Sequence, residues 1–101
     1  MAVVYDVEEI IKKLRPIFET KPINKAILFG SYSKGIASTY SDIDIVIDSG
    51  GQLRGLKFYS VLEDLVEALN KDVDLFDVSE IRHNSPIQKE ILEWGVVLYE
   101  R

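Results

Sequence analysis

Two aspartates separated by a single residue, Asp42 and Asp44, are the side chains of this sequence best placed to do chemistry. They stand at the start of the apolar run 43–47. Because side chains alternate between the two faces of a strand, both carboxylates must project to the same side. Neighbouring carboxylates repel each other and lose hydration beside apolar residues, so they are normally paired or coordinated to a metal ion. The pair therefore predicts a site for a divalent cation.

A Gly-Ser pair, Gly30-Ser31, predicts a phosphate-binding turn. It ends the apolar run 26–29, and ten residues separate it from Asp42. Glycine suits such a turn because a phosphate must approach the backbone closely, with no Cβ in the way. The N–H groups that follow can form an anion-binding nest or open a short helix. Lys34 can add positive charge against a triphosphate or its departing pyrophosphate. The alternatives are that Ser31 is a simple turn residue and Lys34 a solvated loop lysine.

Asp74 lies in a later apolar segment and is the candidate third carboxylate. If its strand pairs in register with the strand of Asp42 and Asp44, Asp74 can stand beside that pair. Three carboxylates beside a phosphate-binding turn suit two-metal phosphoryl transfer, in which ions about 3.5–4 Å apart clamp the attacking and leaving oxygens. Mg²⁺ prefers such oxygen ligands. Asp72, which shares the strand face of Asp74, and Asp77, on the opposite face, compete for this role. Asp48 adjoins a Ser-Gly-Gly cluster and is interpreted as a turn former.

The remaining notable residues carry weaker signals. His83, the only histidine, and Arg82 lie in a polar segment and are interpreted as surface loop residues. Trp94 is assigned to the core or to a partner interface and not to a base-stacking platform.

The elements that must position these residues follow from periodicity, caps and turn residues. Pro16 would remove a backbone hydrogen bond, so the first helix should be regular only to about Arg15, with a distorted turn after it. The last helix has Ser85 as N-cap, Pro86 at its first position and Gln88 to close a capping box. The predicted helices span 6–19, 33–37, 56–69 and 86–94, and the predicted strands span 25–29, 43–47, 73–78 and 96–99. This order predicts an α/β (α+β) fold with a small mixed sheet of about four strands, flanked by helices.

Composition bounds the class of protein. The 101 residues suit one domain, 1–101, and 47% of them are hydrophobic, enough for a core. There is no cysteine, and no apolar run approaches the roughly 18–20 residues that span a bilayer. The N-terminus lacks the layout of a signal peptide. A soluble, cytoplasmic protein without a membrane partner is expected.

The charge balance is acidic. The sequence has 12 lysines and arginines and 17 aspartates and glutamates, which gives a formal net charge of −5. Proteins that bind nucleic acids normally carry a basic stripe, and none is visible here. Nucleic acid is therefore disfavoured as a partner, and a protein acceptor is favoured.

The Gly-Ser pair, the Asp-x-Asp pair and the later aspartate resemble the nucleotidyltransferase superfamily related to polymerase β. The chain is most similar to its minimal branch, the MNT-type antitoxins of HEPN/MNT toxin–antitoxin pairs. The resemblance implies two Mg²⁺ ions and ATP, with AMP transferred to a tyrosine of a partner HEPN ribonuclease, which silences it. By the same resemblance, Gly30 and Ser31 hold the triphosphate and Asp42 and Asp44 bind both metals. Asp74 completes the site and helps to deprotonate the acceptor hydroxyl.

The match departs from the family in one place, because Lys34 stands in the loop where the family often has arginine. A cation is retained, but not the bidentate grip of a guanidinium on phosphate. Two other functions stay open. One is an antitoxin that neutralises its toxin by binding alone, with an idle nucleotide site. The other is nucleotidyl transfer to a small molecule or RNA. The preferred base is not legible in the sequence, and ATP follows from the resemblance only.

Overall fold

A computed structural model describes residues 3–101 of the chain. Four α-helices and four strands alternate along it, with one short 3-10 helix after the third strand. The helices are α1 (Val7–Glu19), α2 (Ser31–Lys34), α3 (Leu56–Leu69) and α4 (Pro86–Trp94); the strands are β1 (Lys25–Phe29), β2 (Ile43–Asp48), β3 (Val73–Asp77) and β4 (Val96–Glu100). Within the described residues, no helix combines the length and apolarity that crossing a bilayer requires.

The four strands form one mixed sheet in the order β3-β2-β1-β4. Strand β1 is antiparallel to both of its neighbours, whereas β2 and β3 run parallel. Parallel strands need a crossover connection, and α3 supplies it between β2 and β3. The predicted α/β class and the four-stranded mixed sheet are confirmed.

The two faces of the sheet have different roles. On the core face, side chains of β1, β2, β3 and β4 pack with α1 and α3 to form the hydrophobic core; its fully buried members include Ile10, Leu14, Phe18, Leu28, Ile43, Ile45, Ile47, Leu65 and Leu69. We call the opposite face the site face, because register places Phe29, Asp44 and Asp74 on it side by side. Helix α4 is the element that packs against β1 there, with Gly95 close to Ile27.

Most predicted elements are confirmed within one or two residues, and three details are corrected. Helix α1 continues through Pro16 to Glu19; the proline is exposed, so water can bond the carbonyl that its missing N–H leaves free. Helix α2 starts at Ser31 and not at residue 33. Ser85 does cap α4, but Gln88 accepts from the N–H of Asn84 and not from that of Ser85.

Two of the other candidate aspartates, Asp77 and Asp48, have structural roles. Asp77 lies on the core face, where its carboxylate accepts a 2.7 Å hydrogen bond from Ser49 and caps the 3-10 helix. Burial alone would raise the pKa of Asp77, but hydrogen bonds from Ser79 and Ser49 outweigh it and hold that pKa below 3.8. Asp48 accepts from the N–H of Gly50 at 3.0 Å, as a turn former does. Asp77 and Asp48 are therefore engaged away from the site.

Candidate active site

Gly30 sits at the junction between β1 and α2 and touches an aspartate of the neighbouring strand. Its φ of 76° is in the region that L side chains rarely adopt, and a Cβ built on it would lie 2.0 Å from Oδ2 of Asp44. The turn is held further by Ser33, whose hydroxyl donates to the Gly30 carbonyl at 2.9 Å. Only glycine allows the turn between β1 and α2 and this carboxylate to come so close.

Asp44 and Asp74 face each other across parallel strands β2 and β3. They are paired in register, so both carboxylates lie on the site face. Burial, followed by the charge of Asp74 and a hydrogen bond to it, raises the pKa of Asp44 from 3.8 to about 6; the charges of Glu90 and Asp42 contribute less to this rise. Two carboxyl groups that share a site hold a proton more tightly than one alone. The predicted adjacency of Asp74 to Asp44 is present.

Asp42 is less closely engaged. It precedes β2, its side chain is exposed, and its charge has the weakest of the influences that raise the pKa of Asp44. A groove of about 420 Å³ runs beside it, lined by Tyr40, Lys71 and Asp72 among others, but not by Asp44 or Asp74. In the part of the chain that the structure describes, no three histidine, cysteine or acidic side chains are gathered closely enough to hold a metal ion. The expected three-carboxylate cluster is thus not assembled in advance.

Glu90 is the residue at this site that sequence reasoning missed. It lies on α4, its carboxylate is 2.5 Å from Nζ of Lys34, and its negative charge helps to raise the pKa of Asp44. Trp94, expected in the core or at an interface, is half exposed, with Lys34 Nζ 5.9 Å from its ring centroid. Helical spacing puts positions 90 and 94 on one face, which is the only signal in the sequence that links them.

The donor set fits a divalent cation. Asp44 and Asp74 are adjacent carboxylates, and the pKa of Asp44 is raised by burial and by the neighbouring negative charge of Asp74. A hard cation such as Mg²⁺ binds one or two carboxylates and completes its shell with water and substrate phosphates. Because Gly30 has no side chain, the backbone turn lies directly beside the Asp44 carboxylate.

The raised pKa of Asp44 gives a testable pH dependence of stability. The folded protein holds this proton up to about pH 6, whereas the unfolded chain releases it near 3.8. The contribution of Asp44 is therefore present below pH 3.8 and is lost as the pH rises through about 6. We expect wild type to lose on the order of 1 kcal/mol relative to Asp44→Asn over this range, discounted for solvent screening. Urea unfolding from pH 4 to 7 in EDTA measures it; parallel curves for the two proteins would contradict it.

Comparison with known proteins identifies the class that this fold and site define. The family described as polymerase beta, nucleotidyltransferase matches residues 12–101. The chain belongs to the polymerase β nucleotidyltransferase family and is a nucleotidyltransferase. The resemblance read from the Gly-Ser and Asp-x-Asp residues is thereby confirmed.

The similar proteins are more specific. The chain is 33% identical over 96 residues to a Methanocaldococcus jannaschii protein provisionally named protein adenylyltransferase; the match covers 92% of this chain and 95% of that one. It is also 37% identical over 70 residues to protein adenylyltransferase MntA of Shewanella oneidensis, covering 69% of this chain and 49% of MntA.

Two solved structures of toxin–antitoxin complexes share the fold. One, a toxin–antitoxin with AMP-PNP, has a TM-score of 0.71 at 30% identity, covering 96% of this chain and 75% of that chain. The other is the tri-AMPylated Shewanella oneidensis HEPN toxin in complex with MNT antitoxin. Its TM-score is 0.62 at 28% identity, and the match covers 94% of this chain and 70% of that chain.

Proposed function

We propose that this protein is a Mg²⁺-dependent protein adenylyltransferase antitoxin. It transfers AMP from ATP to a tyrosine of a partner HEPN ribonuclease toxin and thereby neutralises the toxin. The observation that carries the proposal is the contact of Gly30 with Asp44, beside Asp74, in a chain of the nucleotidyltransferase family. The relatives named protein adenylyltransferase and the AMPylated toxin complex support the choice of acceptor.

The proposed reaction is a nucleotidyl transfer. The tyrosine oxygen attacks the α-phosphorus of ATP, a new P–O bond forms, and the bond to the bridging oxygen breaks, so that pyrophosphate leaves. Asp74 takes the phenolic proton. Asp42, Asp44 and Asp74 would hold two Mg²⁺ ions, and these would supply positive charge to stabilise the attacking and leaving oxygens. The Gly30-Ser31 turn and Lys34 orient the triphosphate.

The openness of the site favours a macromolecular acceptor. Asp42 and Asp74 are exposed and Asp44 is half-buried, so the carboxylates lie on an open surface and not in an enclosed pocket. A small-molecule acceptor normally needs a concave site that buries most of its surface. The net charge of −5 opposes binding to a nucleic-acid acceptor. A folded protein can cover these carboxylates with its own surface, and it need not carry the negative charge of a nucleic acid.

The test is incubation with ATP, Mg²⁺ and the purified toxin encoded beside this protein. We expect the intact mass of the toxin to increase by one or more adenylyl groups, with peptide mapping placing them on tyrosine. EDTA and an ATP analogue that cannot release pyrophosphate should each abolish the increase. An unchanged mass of a toxin that demonstrably binds this chain would contradict the proposal.

A binding-only antitoxin is the second candidate, favoured by the exposed, loosely engaged position of Asp42. The double variant Asp42→Asn, Asp44→Asn separates the two functions. If binding is sufficient, the variant still forms the complex and still neutralises the toxin. If transfer is required, the complex forms and the toxin stays active.

A further inference from the structure

Lys34 is held by two residues of a helix distant in sequence. Its Nζ lies 2.5 Å from Oε1 of Glu90 and 5.9 Å from the ring centroid of Trp94. Both partners belong to α4 and are one helical turn apart, so they form one contact surface. The side chains of the ion pair are only 29% and 30% exposed, for Lys34 and Glu90 respectively. The partly buried pair therefore links α2 to α4.

This link lies beside the proposed nucleotide site. Lys34 ends the short helix that begins at Ser31, and the preceding Gly30 touches Asp44. Glu90 is close enough for its negative charge to raise the pKa of Asp44. A triphosphate bound at the Gly30 turn would thus meet a Lys34 ammonium that is already paired with the Glu90 carboxylate.

We infer that Glu90 is a positioning residue that holds the Lys34 ammonium in the nucleotide-free site and gives it up to the phosphates when the nucleotide binds. The inference rests on the proposed nucleotide-binding function. A lysine suits such an exchange because its ammonium is a compact charge with three freely rotating donors. The planar fork of an arginine would bind the same carboxylate through two parallel hydrogen bonds. Nucleotide binding must then break this ion pair, which lowers the affinity of the protein for the nucleotide.

The experiment is titration of the full chain with a non-hydrolysable ATP analogue and Mg²⁺. Glu90→Gln should lower Kd about fivefold, which corresponds to about 1 kcal/mol for a half-buried ion pair. Glu93→Gln is the matched control, because Glu93 is an exposed carboxylate of the same helix. It removes the same charge without touching Lys34 and should change Kd less than about twofold.

A second background tests whether Glu90 acts through Lys34. In Lys34→Met there is no ammonium to release, so adding Glu90→Gln should give no more gain than Glu93→Gln does. The inference is overturned if Glu90→Gln leaves Kd unchanged or weakens binding, or if its full gain persists in Lys34→Met. A wild-type chain that binds no nucleotide would overturn the proposed function as well; binding by wild type with no effect of Glu90→Gln overturns the exchange alone.

Discussion

Replacing Asp44 with asparagine is expected to reduce adenylyl transfer about 10³-fold or more. The substitution keeps the shape of the side chain but removes the charge from the carboxylate that is paired with Asp74 and in contact with the Gly30 turn. Loss of one preorganised electrostatic contact to the transition state commonly costs about 10²–10³ in rate, and a metal ligand contributes several kcal/mol more. The measurement is the rate of mass increase of the toxin partner under saturating ATP and Mg²⁺.

Asp48→Asn is the matched control for this change. Asp48 is on the same strand and the same sheet face, but its carboxylate bonds to a turn. We expect it to retain activity within about twofold, since it contacts nothing at the site. Asp74→Asn, in β3, and Asp72→Asn, just before β3, form a second matched pair, and only the first should lose activity. Transfer by Asp44→Asn within tenfold of wild type would contradict the proposed role of the aspartates.

The second large effect is expected at Gly30. In Gly30→Ala the new methyl group would lie 2.0 Å from Oδ2 of Asp44, so the carboxylate or the turn must move. We expect nucleotide transfer to fall by at least about 10²-fold, because a displacement of about 1 Å in a catalytic group has costs of that size. Unfolding in urea should show a loss of about 1–3 kcal/mol from the strained φ and the collision.

Gly35→Ala separates the collision from the backbone strain. Gly35 has a φ of 74°, almost the same as that of Gly30, but a Cβ built there meets nothing within 4 Å. It should lose about 1 kcal/mol of stability from the unfavourable φ alone and retain most of its transfer activity. If the two alanine variants lost activity equally, the close approach to Asp44 would not be what the site requires.

The local features of this chain could be predicted because their signals lie close together in the sequence. Strand β1 and helix α3 begin and end at the residues expected from their apolar periodicity, and Asn70, in the left-handed conformation, ends α3. The alternation of the apolar run 43–47 predicts, without any knowledge of the fold, that Asp42 and Asp44 share a face; in the structure Asp42 precedes the strand. The course of α1 through Pro16 was not predicted, because the cost of a helical proline depends on whether water can reach the freed carbonyl.

The non-local contacts of the site depended on packing. Which aspartate of β3 stands beside Asp44 is decided by the parallel register, in which Asp44 pairs with Asp74. A shift of one residue would place Asp74 on the other face. Glu90 reaches Lys34 because α4 packs on β1 across the site face. The apolar stripe of a helix predicts that the helix packs against the core, but it does not predict which part of the sheet the helix covers.

The sequence by itself determined the Gly-Ser turn, the Asp-x-Asp pair and the strands and helices that carry them, because backbone periodicity and glycine conformation act over a few residues. Only the tertiary structure decided that the charges of Asp74 and Glu90 raise the pKa of Asp44 more than that of Asp42 does, and that Lys34 is already paired. Those contacts are set by strand register and helix docking, which join segments far apart in the chain and depend on the packing of the whole core.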